Sequence, residues 1–218
     1  MAEVNLLARL PRSRRNVNAR AEAKSPEVIA TSRKFGQEYF DGPREYGYGG
    51  YRYDGRWVPI AEDIVAHFGL KAGDRVLDVG CAKGFLVKDL MKVCPGLEVF
   101  GIDISEYAVM HCEPEVVGRL HLGSCEHLPF PSNSFSAVVS INTIHNQNRE
   151  GVIRSLKEVQ RLCGGRAYVQ VDSYRDEEQR QLFLDWVLTA NFHDYPDGWR
   201  KVFAEAGYTG DYYWTIVE

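Results

Sequence analysis

With 218 residues, 44% of them hydrophobic and 26% charged, the chain is long enough for one sizeable α/β core plus a modest extra segment, and it holds no apolar run long enough to span a membrane. A formal charge of −4 argues against a protein that holds nucleic acid by its bulk charge. The five cysteines are odd in number and scattered without a C-x-x-C pair, which points away from a disulfide framework or a metal site and toward a reducing cytoplasm.

Residues 1–57 read differently from residues 58–218. Arg9, Arg12, Arg14, Arg15 and Arg20 form a basic cluster in an otherwise acidic chain. The expectation is a solvated, partly disordered tail, with a nucleic-acid arm as the alternative. The adjacent arginines 14 and 15 have no hydrophobic segment after them, so an export signal is not expected. Ser25-Pro26-Glu27 is a helix start, and Val28, Ser32, Phe35 and Tyr39 share one face, predicting a helix over Pro26 to Tyr39. From Asp41 to Trp57 the chain is crowded with tyrosine and glycine, which suits neither helix nor strand. This segment is either an aromatic-packed surface loop or a lid over a ligand, with Tyr46, Tyr48, Tyr51 and Arg52 as contact residues.

Ile60, Ala61, Ile64, Val65 and Phe68 then mark an amphipathic helix over Val58 to Leu70. Val76, Leu77 and Val79 form a buried strand that runs into a tight turn, and a helix follows over Phe85 to Val93. Between them, Gly80, Ala82 and Gly84 leave bare backbone N–H groups at a helix N-terminus, a cradle for a ligand. The order Asp78-x-Gly80-x-Ala82-x-Gly84 closes the strand with an acid. That acid repels a pyrophosphate, which weighs against a nicotinamide cofactor, and suits a ligand carrying ammonium and sulfonium. The next strand, Glu98 to Asp103, ends in a carboxylate placed to accept both hydroxyls of a ribose.

Ser105 caps a helix through Cys112, and Val116 to Leu122 leads into a third strand. A fourth, Ser136 to Ile141, opens onto Asn142-Thr-Ile-His-Asn146. His145 there is a structural histidine or a general base, and position alone leaves the two even. Asn142 and Asn146 orient a ligand's hydroxyls or satisfy the turn. Arg149 to Leu162 is a core helix, and the fifth strand, Ala167 to Val171, delivers Asp172, Ser173 and Tyr174 to the same edge. A helix over Glu177 to Trp186, a sixth strand over Val187 to Ala190, a helix over Asp197 to Ala206 and an edge strand over Asp211 to Val217 complete the reading. His193 falls in a polar turn near the open end of the sheet.

Val76-Leu-Asp-Val-Gly-Cys-Ala-Lys-Gly84, Gly101-Ile-Asp103-Ile-Ser and Gly123-Ser-Cys-Glu-His-Leu-Pro-Phe-Pro-Ser-Asn-Ser-Phe135, in that order, resemble the class I S-adenosylmethionine (SAM) dependent methyltransferases of the type 11 group. The resemblance covers Val58 to the C-terminus. It implies a Rossmann-like α/β fold: a mostly parallel seven-stranded sheet with helices on both faces, an antiparallel C-terminal edge strand and an N-terminal lid. It implies SAM as cofactor, S-adenosylhomocysteine as product, and contacts from Asp78, Gly80, Cys81, Ala82 and Gly84, then from Asp103 and Ile104, and further on from Ile141 and Asn142. The family's acid for the adenine amino group is replaced by Ser124, with Cys125 beside it. The family's Asn/Asp-Pro-Pro-aromatic tetrad for base or glutamine amines is absent. The expected acceptor is therefore a small polar molecule, a sugar or amino sugar, methylated on N or O with His145, Asp172 or His193 as base and Tyr174 nearby. Alternatives are a SAM-binding regulatory module without turnover and a methyltransferase acting on RNA or protein.

Overall fold

In the computed structural model, which describes residues 1–11 and 15–217, the apolar run Arg75–Val79 is strand β1 at the middle of a six-stranded sheet. Val76, Leu77 and Val79 are fully buried, as a strand covered on both faces requires. β1 pairs in parallel with β2 (Glu98–Asp103) on one side, beyond which lies β3 (Leu120–Leu122). On the other side it pairs with β4 (Ala137–Ile141), followed by β5 (Ala167–Asp172) and β6 (Asp211–Thr215). The order β3-β2-β1-β4-β5-β6 reverses direction at β1 and β4, so a crevice opens at their carboxyl ends.

The N-terminal segment is not the free tail its charge suggests. Glu3 bridges to Tyr212 in parallel, Val4 N–H donates to Tyr212 O at 2.9 Å, and Leu6 is buried against the sheet. This contact covers the outer edge of β6. Arg9 pairs with Glu62 and Asp63, and Arg20, in α1 (Val17–Ala23), is only 7% exposed. Arg12 and Arg14 lie outside the described residues. The helix expected over Pro26 to Tyr39 is two helices, α2 (Pro26–Ser32) and α3 (Gln37–Phe40). Ser32 Oγ donates back to Val28 O at 2.7 Å and Phe35 adopts φ +49°, so the chain leaves the helix before Gly36 caps α3. Periodicity alone did not reveal that break.

α4 (Val58–Phe68) and α5 (Phe85–Val93) pack on one face of the sheet, where Ile60, Ile64 and Leu90 meet Val76. α6 (Glu106–Met110) follows β2. α7 (Arg149–Cys163) and α9 (Pro196–Ala206) cover the other face, with Leu156, Val159, Trp199 and Phe203 against Leu77 and Val79. The two faces alternate along β1 with the period of a strand.

Two expectations about the sheet are corrected. It has six strands, not seven, and its last strand is parallel: α8 (Glu177–Trp186) and α9 return the chain in the direction of β5, with Tyr168 opposite Asp211 and Asp172 opposite Thr215. Val187 to Ala190 is irregular. Its apolar groups fill a small cluster with Tyr174, Phe183 and Val217 instead of joining the sheet. Among the described residues no helix is long and apolar enough to cross a membrane.

Candidate active site

The crevice is a cleft of about 980 Å³, counting its open mouth, floored by the turn after β1. Gly80 sits at φ +84° and Ala82 at φ +49°. A Cβ on Gly80 would stand 1.9 Å from Thr143 Oγ1, so only glycine lets the β1 turn pass the loop after β4. Asp103, at the end of β2, is fixed by that turn: its Oδ2 accepts from Ala82 N–H at 2.7 Å and its Oδ1 from Ser105 N–H at 2.8 Å. Each oxygen keeps a further lone pair, enough to accept the two hydroxyls of a diol.

The tyrosine-rich segment closes over this floor. Tyr51 stacks on Phe85, with ring centroids 4.5 Å apart, and Tyr48 lies 4.3 Å from Tyr51. The segment is tied to the cradle by charge. Lys83 Nζ, inside the turn, lies 2.6 Å from Asp41 Oδ2 and donates to Tyr51 O at 3.2 Å. Asp41 also accepts from Tyr107 OH and from Tyr51 N–H. Burial pushes the Asp41 carboxyl up, but these donors outweigh it and hold the group below its ordinary value. Ser105, the N-cap of α6, donates through Oγ to Phe35 O at 2.5 Å, and Phe35 lines the cleft.

Among the described residues the cleft wall carries two carboxylates and no lysine, arginine or histidine. Asp78 is 5% exposed, and burial, with the charge of Asp103 adding to it, pushes its pKa up to about 7. Burial also raises Asp103, against the pull of its backbone donors. The thiols of Cys81 and Cys125 and the phenols of Tyr39 and Tyr51 are all raised by burial and stay neutral. No group of His, Cys, Asp and Glu among the described residues could hold a metal ion.

Residues 77–169 match the family model described as a methyltransferase domain. The uncharacterized methyltransferase YdaC of Bacillus subtilis is 31% identical over 146 residues, covering 60% of this chain and 77% of YdaC. The chain belongs to the class I, type 11 methyltransferases. The methyl donor of these methyltransferases is SAM. Sterol 24-C-methyltransferase ERG6B of Gibberella zeae is 34% identical over 147 residues, 61% of this chain but 38% of the sterol enzyme's length. The structure of YcgJ from Bacillus subtilis shares the fold with a TM-score of 0.55 at 19% identity, covering 67% of this chain and 66% of that one.

The bare turn at Gly80 and the anchored carboxylate of Asp103 are the features a nucleoside cofactor needs, and the methyltransferase brings both to one cleft. Of the other residues singled out for SAM, Cys81, Ala82, Ile104 and Cys125 line the cleft, as do Ile141 and Asn142. Gly84, the N-cap of α5, and Ser124, whose Oγ accepts from Glu126 N–H, are not among its lining residues. Tyr48, Tyr51 and Asn146 are on the wall; Tyr46 and Arg52 are not. Neither are the three base candidates or Tyr174.

His145 is 3% exposed. Its Nδ1 accepts from Asp172 N–H at 3.0 Å, its Nε2 lies 3.5 Å from Asp172 Oδ2, and its carbonyl accepts from Asn191 and Phe192. Burial lowers its pKa against the charge of Asp172, so it is a neutral tie between β5 and the segment after α8. His193 Nδ1 shares a hydrogen bond with Tyr174 OH, and burial with the charge of Arg180 lowers its pKa too. The reading of the sequence missed Asp41, Lys83, Thr143 and Gln147. Thr143 and Gln147 flank residues it did name, but nothing local marks Asp41 and Lys83, 42 positions apart, as partners.

Proposed function

We propose that the chain transfers a methyl group from SAM to a nitrogen or oxygen of a small polar acceptor, with sugars and amino sugars as the first class to test, under the lid formed by residues 41–57. The observation that carries this reading is the acid-floored cleft with its lid latched shut by Lys83 and Asp41. Bound SAM supplies an electrophilic methyl on a sulfonium. Asp103 would hold the ribose, Gly80 to Ala82 would let the donor lie against backbone, and Asp78 would offset the charge of its cationic tail. Ile104 and Cys125, with Ile141 and Asn142, would supply further cleft-lining contacts to it. The tyrosine rings of the lid favour a cation beside them and exclude water, so most of the rate comes from alignment, worth up to about 7–11 kcal/mol in favourable cases. His145, Asp172 and His193 act at one remove, by holding β5 and the following segment in place.

Calorimetry with SAM and with NADH tests the donor, and label transfer from methyl-tritiated SAM to a panel of sugars, amino sugars and amino acids tests the acceptor. Binding of NADH without SAM, or label moving only to macromolecules, would overturn the reading.

A further inference from the structure

The loop after β4 and the tyrosine-rich segment both line the cleft, and their chemistry bears on what is methylated. Asn146 lines the cleft from this loop, and its Oδ1 is shut off from solvent with no hydrogen-bond partner among the described residues. A buried acceptor without a donor is costly and is rarely kept without use. The rings of Tyr39, Phe40, Tyr48 and Tyr51 line the same cleft, each within 6 Å of another. The ammonium of Lys83, on the turn after β1, is engaged by Asp41 and Tyr51 O.

We propose that Asn146 is the residue that reads the acceptor, and that the acceptor is an amine donating an N–H to Asn146 Oδ1. This rests on the methyl-transfer reading above and narrows it from N or O to N. A hydroxyl must lose its proton as it attacks, and among the described residues no imidazole lines the cleft to take it. Asp78 and Asp103 are the only carboxylates on the described wall and belong to the donor's floor. An acidic acceptor would meet those two acids with no cation to balance it. A neutral amine needs no base: its nitrogen lone pair forms the bond to the methyl carbon, the carbon–sulfur pair stays with sulfur, and the positive charge passes to nitrogen. The new ammonium is held by Asn146 and the aromatic faces until its extra proton leaves to water. Asn146 is thus a positioning and specificity residue.

The test uses two donor analogues and needs no acceptor. S-adenosylhomocysteine lacks the methyl; sinefungin carries a primary amine on the carbon that replaces the sulfur. Calorimetry on the full chain should show sinefungin binding about tenfold or more tighter than S-adenosylhomocysteine. Asn146→Ala should cut that preference at least fivefold while S-adenosylhomocysteine binds within twofold of wild type. Asn146→Asp, which keeps the volume and can only accept, should preserve or raise the preference, and it decides the matter if the alanine variant does not fold. The proposal is overturned if S-adenosylhomocysteine binds normally and the preference is indifferent to Asn146→Ala, or collapses in Asn146→Asp. If neither analogue binds the wild type, the donor-site reading falls and this one with it.

Discussion

The latch between Lys83 and Asp41 makes a quantitative demand on the lid. Its Nζ–Oδ2 separation is 2.6 Å, and the two side chains are 10% and 27% exposed. A hydrogen bond to a charged group nets about 1.5–3 kcal/mol. In Lys83→Met, however, Asp41 keeps its bonds from Tyr107 OH and Tyr51 N–H and some access to water, so it is not left stranded. The expected loss is therefore about 1–2 kcal/mol, or about 5–30-fold in the opening equilibrium of the lid. Hydrogen exchange reads this at the amides the closed lid protects: Tyr48, bonded to Tyr39 O, Gly50, bonded to Phe40 O, and Tyr51, bonded to Asp41. They should exchange faster by that factor while β1 amides follow global stability alone. Asp41→Asn and the double variant complete a cycle with a coupling of about 1 kcal/mol. Unchanged exchange at the three amides, or effects additive within about 0.5 kcal/mol, would refute the latch.

Gly80→Ala should weaken S-adenosylhomocysteine binding at least thirtyfold and lower the melting temperature, because a positive φ costs about 1–3 kcal/mol without glycine and the new Cβ meets Thr143. Thr143→Gly in the same chain removes the atoms it strikes and should restore part of the loss; no recovery would place the cause elsewhere. Asp78 titrates near pH 7 in the free protein, charged above and neutral below. The affinity ratio of SAM to S-adenosylhomocysteine should therefore rise from pH 6 to pH 8 and be flat in Asp78→Asn, and equal slopes in both proteins would count against this. The sign reverses for stability: the folded state binds the extra proton, so this group's contribution declines as the pH climbs from about 4 through 7. His145→Ala should cost about 2–4 kcal/mol through the cavity and the orphaned Asp172 N–H, with S-adenosylhomocysteine affinity within about twofold. Because folding lowers the His145 pKa, its contribution is complete above about pH 6.5 and is lost as the pH falls below that. A variant of wild-type stability with lost turnover would return His145 to the role of base.

The sequence by itself determined the features whose causes lie within a few residues. The turn after β1 was legible because Gly80, Ala82 and Gly84 act through the local backbone, all three at positive φ, and β1, α5 and β2 were legible through their apolar periods. The Ser25 and Ser105 caps are equally local, each accepting from the N–H three residues on. Tertiary structure alone decided the rest. Strand direction has no signature in an apolar pattern, so the parallel pairing of β6 with β5 was set by the path of the chain through α8 and α9, and Val187 to Ala190 had the composition of a strand without a neighbour to pair with. The short helical turn Ile144–Asn146 sent Ile144 and His145 into the core and left Thr143, Asn146 and Gln147 on the cleft wall. Adjacent residues thus face opposite environments there. Lys83 and Asp41 find each other only when the lid folds onto the β1 turn, because an ion pair depends on distance in space and not on distance along the chain.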